Sequence, residues 1–166
     1  MIYRNKLFPF LILLLITAAV SPAWAVKCPK DMISVEGRYC VDRYEYPNLK
    51  GALPEREVPR ENAAGICEHY GKRLCTTGEW TRACGGPDSQ KYPHGPKYGK
   101  EKCNDASMGM NRRSSAGILE ECTGPDGTHD MSGNLYEWAV AKNGNPVLMG
   151  GSYKTSDPAT LSCSAM

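Results

Sequence analysis

The side chains best suited to chemistry in this chain are its eight cysteines, at positions 28, 40, 67, 75, 84, 103, 122 and 163. Thiols cross-link, bind soft metals, or act as nucleophiles once ionised. Their spacing argues against a zinc centre. No C-x-x-C pair occurs, and His69, His94 and His129 are scattered without an H-x-x-x-H spacing. Nor does the chain show a positioned nucleophile, redox centre or acid-base pair. Gly71-Lys72-Arg73-Leu74 lacks the glycine spacing and the Lys-Ser/Thr of a phosphate loop, and reads as the junction between two helices. Cross-linking is the chemistry left for most of the cysteines.

The compartment supports that reading. Arg4 and Lys6 precede an apolar run from Leu7 to Val20, and Ala23-Trp24-Ala25 offers the small residues of a signal-peptidase site. Residues 1–25 are read as a cleaved secretory signal, with no stable membrane span after cleavage, and residues 26–166 as a single exported domain, periplasmic or extracellular. All eight cysteines lie downstream of the signal, in an oxidising destination where disulfides are the default. Losing Arg4 and Lys6 leaves basic and acidic side chains balanced at 18 each. A nucleic-acid or membrane-surface binder would need a basic excess, and none is present.

The elements that must position these residues are short. "CPKDMISVEGRYCVD" alternates about a Glu36-Gly37 turn and predicts a hairpin whose ends Cys28 and Cys40 can tie. After Pro59, Ala63, Ile66, Cys67 and Tyr70 recur at helical spacing, placing Cys67 toward the core, and Gly71 stops the helix. Thr76 and Glu79 form the T-x-x-E capping pattern of a second helix with Trp80, Ala83 and Cys84 on its inner face. From Asp88 to Gly127 no periodic element is visible, and Cys103 and Cys122 are the expected pins of this long loop. Two short strands follow, after Ser132-Gly133-Asn134 and in "PVLMGGSY".

Several signatures then stand in one order: "CVDRYEYPN" at 40–48, "GKRLCTTGEW" at 71–80, "YPHG" at 92–95, "CN" at 103–104, "DMSGNLYEW" at 130–138 and "GGSY" at 150–153. Together they closely resemble the formylglycine-generating enzyme, or sulfatase-modifying factor, family. The resemblance implies an irregular α+β fold, related to C-type lectin-like domains, with low regular secondary structure, disulfide staples and structural calcium. Founding members use copper and oxygen to oxidise a cysteine of a client sulfatase to formylglycine. Their copper is held by two cysteines in a G-G-S-[YW]-x-C-x-x-x-x-C segment. In this chain those positions are Thr155 and Thr160. A thiol yields a soft thiolate suited to Cu(I), whereas a threonine hydroxyl stays protonated and donates weakly. Copper and formylglycine-generating activity are therefore not expected.

The resemblance also assigns other residues. Asn134 and Glu137 in "GNLYEW", with carbonyls of Gly133 or Leu135, match a calcium loop, and Asn104 in "CNDAS" matches the start of another; ordinary turn hydrogen bonding is the alternative at each. Trp138, Ser152 and Tyr153 fall in pocket-lining positions. The preferred disulfides are Cys28–Cys40, Cys103–Cys122 and, by resemblance, Cys84–Cys163. Family members continue to a terminal G-F-R-C whose cysteine pairs with the counterpart of Cys67. Here Cys67 is left to pair with Cys75, to stay a free thiol, or to mark a truncated sequence. The resulting expectation is a binding or accessory module for a protein or peptide partner, with a glycan as a further option and Tyr44, Tyr46 and Tyr153 as amphipathic contacts. The alternative is an oxidoreductase of the same family with a diverged reaction.

Overall fold

The structure is a computed structural model describing residues 25–165. The secretion signal read at residues 1–25 lies outside them, apart from its last residue. Regular structure is sparse because the sequence rarely sustains one period. Its first element is the hairpin β1 (Met32–Val35) and β2 (Tyr39–Asp42), paired antiparallel from Met32 with Asp42 to Val35 with Tyr39. Glu36 and Gly37 both have positive φ, 52° and 67°, the backbone a tight hairpin turn demands. The Arg38 amide closes that turn on the Val35 carbonyl at 2.9 Å.

Helix α1 (Arg60–His69) occupies the predicted place, yet none of its residues is buried. The expectation that Cys67 faces the core is corrected here. The periodic face of α1 borders an open cavity instead, with Cys67 half-buried and Tyr70 59% exposed. Helix α2 is the opposite case. It runs Thr77–Gly85 and buries Trp80, Ala83 and Cys84. Its start is fixed by Thr76: the Glu79 amide donates to Thr76 Oγ1 at 3.2 Å while the Thr76 amide donates to Glu79 Oε2 at 2.9 Å, so two otherwise unpaired amides of the first turn are satisfied.

Just ahead of α2, the two-residue strand β3 (Cys75–Thr76) pairs parallel with β4 (Glu137–Val140), which pairs antiparallel with β5 (Pro146–Met149). Two residues carry no periodicity, so β3 was not foreseen. The core sits between this sheet, the hairpin and α2: Ile33, Val35, Val41, Trp80, Ala83, Met131, Ala139 and Met149 pack around Cys84 and Cys163.

Three disulfides join Cys28 to Cys40, Cys84 to Cys163 and Cys103 to Cys122. The second spans 79 residues and anchors the C-terminal loop to α2. Cys103–Cys122 pins the long loop, whose regular structure is a single 3-10 turn at Ala106–Met108. Cys67 and Cys75 are free thiols, so the pairing of Cys67 with Cys75 is not formed.

Removing the cap tests this description of α2. Thr76→Ala should lower unfolding stability by about 1 kcal/mol, read from chemical denaturation with an unchanged m-value; a loss below a few tenths would show that the cap contributes nothing.

Candidate functional site

An open cavity of about 860 Å³ lies between β2, α1, the Gly71–Cys75 segment and the start of β4. Its walls include the aromatic side chains of Tyr44, Tyr46, Tyr70, Trp80 and Trp138. Trp138 is fixed by its indole N–H, which donates to the Val58 carbonyl at 2.9 Å, and Trp80 donates to Glu137 Oε2 at 2.6 Å. Two ion pairs sit at the wall: Lys72 Nζ with Asp42 Oδ1, and Arg73 Nη2 with Glu79 Oε1, both at 2.6 Å.

Three further carboxyl groups, Glu45, Glu55 and Glu137, line the same space without a cation beside them among the described residues. Burial pushes Glu137 up to about 7, against the indole hydrogen bond that favours its charged form. Glu45 is raised well above the ordinary carboxylate range, first by burial and then by Glu137 and Asp130 nearby. Burial likewise raises Cys67 and takes Cys75 to about 12. Both thiols border the cavity as protonated, weakly nucleophilic groups.

Behind Glu45 the structure ties a polar knot around Asn134. This residue is fully buried with φ of 51°. Its Oδ1 accepts from the Ser114 amide at 2.8 Å, Asn104 Nδ2 at 2.9 Å and Ser114 Oγ at 3.2 Å. Its Nδ2 donates to Glu45 Oε2 and to the Ser114 carbonyl. The backbone takes part too: the Asn134 amide donates to the Asn104 carbonyl at 2.7 Å, and its carbonyl accepts from Tyr153 at 3.0 Å. Gly133 makes the approach feasible, since a Cβ there would lie 2.5 Å from the Asn104 carbonyl oxygen.

Of the three residues assigned to metal, Asn104 and Asn134 are thus joined directly, while Glu137 points to Trp80. Asn134 with Glu137 does not fit a calcium site as arranged, because the amide oxygen already takes three donors and the carboxyl holds the indole. Asn104 Oδ1 is different: it is buried with no hydrogen-bond partner, so it is an oxygen donor available to a hard cation. No group of three His, Cys, Asp or Glu side chains capable of holding a metal occurs among the described residues.

The terminal loop does not line the cavity itself but touches it through Tyr136, a wall residue. Thr155 Oγ1 accepts from the Ser152 amide at 2.9 Å and sits 3.4 Å from the Tyr136 hydroxyl. Thr160 Oγ1 donates to Asp157 Oδ2 at 3.0 Å. Trp138 lines the cavity, whereas Ser152, Tyr153, Thr155 and Thr160 do not. Among the three tyrosines read as contacts, Tyr44 and Tyr46 border it and Tyr153 does not. Glu45, Lys72 and Cys75 were missed as wall residues. The only sequence signal was Glu45 itself, an acidic residue between two tyrosines before Pro47.

Short sheets, small helices, long loops and three disulfides define a loop-dominated, cross-linked α+β domain. The chain belongs to the family described as the sulfatase-modifying factor enzyme 1-like domain, whose model matches residues 35–166. It is also similar to serine/threonine-protein kinase pkn1 of Chlamydia caviae, 36% identical over 77 residues, and to the protein of the same name from Chlamydia pneumoniae, 35% identical over 77 residues. Each match covers 46% of this chain and 12% of the kinase, so the matched segment is a small part of those relatives.

The raised carboxyls set the pH dependence. Glu137 (about 7), Asp130 (about 6) and Glu45 hold protons in the folded state that the unfolded chain releases near the ordinary carboxylate values. Their contribution to stability is full below those ordinary values and is lost as pH rises through the folded ones. Glu79, held down to about 2 chiefly by Arg73, acts in the opposite sense, its contribution fading as pH falls through about 2. The melting temperature should therefore fall between about pH 5 and 7.5, and Glu137→Gln should flatten that slope. A slope unchanged in the variant would show that Glu137 does not titrate there.

Proposed function

We propose that this chain is an exported binding or accessory module of the sulfatase-modifying factor family, taking a protein or peptide partner and lacking formylglycine-generating oxidase activity. The observation that carries the reading is the terminal loop. Where the resemblance implies two copper-binding thiols stand Thr155 and Thr160, whose hydroxyls are engaged with Ser152 and Asp157. Neither can supply a thiolate at physiological pH. The three disulfides accord with a destination outside the cytosol, and no helix among the described residues is long and apolar enough to cross a membrane. A matching segment that forms a small fraction of two kinases fits a module joined to other activities. The relation to C-type lectin-like domains belongs to the same proposal.

Calcium enters as a structural ion, with Asn104 as the residue whose buried oxygen is free to receive it. Both parts can be checked on the mature protein. Incubated with Cu(I), oxygen and a cysteine-containing sulfatase-type peptide, it should leave the peptide mass unchanged; conversion at a rate typical of the family's enzymes would refute the assignment. Excess calcium should raise the melting temperature relative to chelator, and identical curves would remove the ion from the account.

A further inference from the structure

Residues 26–166 hold two pairs of adjacent basic residues, Lys72-Arg73 and Arg112-Arg113. Their surroundings differ. Lys72 is paired with Asp42 and Arg73 with Glu79, each at 2.6 Å. Neither Arg112 nor Arg113 has an acidic partner among the described residues. Met110, Asn111 and Arg112 are exposed, and Arg113 is half-buried. From Met110 to Arg113 no backbone group joins a helix, a strand or another backbone group among the described residues. An exposed run of this kind is where proteases enter a folded chain.

Two further features frame the run. It lies inside the loop closed by the Cys103–Cys122 disulfide, so a break there leaves both parts covalently joined. Its far end enters the Asn134 knot: Asn104 Nδ2 donates to the Arg112 carbonyl at 3.0 Å, and the amide of buried Ser114 donates to Asn134 Oδ1 at 2.8 Å. Those two hydrogen bonds flank Arg113. A protease reaches the chain there when they open, so the rate of cutting follows the local opening of this corner of the knot.

We propose that Arg112-Arg113 is a processing site for an endoprotease that recognises paired basic residues, and that the cut converts the protein into a disulfide-linked two-chain form with the knot loosened. The two guanidinium groups, unclaimed by acids of the chain, are available to an acidic specificity pocket, the feature that selects a basic side chain in trypsin. Hydrolysis breaks the bond between the Arg113 carbonyl carbon and the Ser114 nitrogen; the hydroxyl of water goes to that carbon and its hydrogen to the nitrogen. The Ser114 amide, a neutral donor inside the knot, becomes a chain end carrying an ammonium group, which water solvates better than a buried site does. The covalent restraint that returned Ser114 to Asn134 is then gone.

The test digests the mature protein under native conditions with a small amount of a kexin-type endoprotease, which accepts both basic pairs, and with trypsin in parallel. Each should give one early product, heavier than the intact chain by one water and undivided until reduction, when it separates into two fragments that meet at the arginine pair. That product should melt at a lower temperature than the intact protein. Arg112→Gln/Arg113→Gln should melt as the native protein does and lose the product. If that variant does not fold, Arg112→Lys/Arg113→Lys should gain the same cut from a lysine-specific endoprotease that leaves this loop whole in the native chain. An earliest cut at Lys72-Arg73 or at any other place, resistance of the native protein to both enzymes, or a nicked product that melts with the intact chain overturns the proposal.

Discussion

One buried amide holds the loops of this protein together. Asn134 reaches the Asn104 loop, the Ser114 loop and Glu45 through its side chain, and Tyr153 through its backbone. A polar group taken out of water without partners destabilises the fold by several kcal/mol, so each segment must arrive in register for the others to be satisfied. That requirement replaces the repetitive hydrogen bonding that long helices and sheets would provide. It also fixes backbone choices: the left-handed φ of Asn134 and the absence of a side chain at Gly133 are conditions for closing the knot.

From this knot the functional surfaces follow. Glu45 is held by Asn134 on one side and borders the cavity on the other, so the same network that stabilises the loops places a buried carboxyl in the wall. Trp80 connects the core to that wall through Glu137. The terminal loop is tied to the same knot by the Tyr153 amide donating to the Asn134 carbonyl, and is held further by the Cys84–Cys163 bond and by the Ala106 amide donating to the Thr155 carbonyl. Thr155 and Thr160 sit in this loop as hydrogen-bonded side chains.

Features set by local rules were legible in the sequence. The hairpin, the Thr76 cap and the extent of α2 depend on residues within a few positions of one another. The family followed from motifs in a fixed order. Features that arise only when distant segments meet were not legible. The α1 periodicity correctly predicted a helix but not what its apolar face would border. β3 is too short to show a period. Asn134 and Asn104 were marked as oxygen donors of two separate loops, but the Ser114 and Glu45 partners lie 20 and 89 residues away from Asn134 and no local pattern announces them.

The direct measurement of this account is the unfolding free energy of Asn134→Ala, with amide hydrogen exchange followed along the chain. The account predicts a loss of at least about 3 kcal/mol, with exchange accelerated together around Asn104, Ser114 and Leu135 while the hairpin amides of β1 and β2 stay protected. A loss under about 1 kcal/mol, or acceleration confined to the neighbours of residue 134, would contradict it.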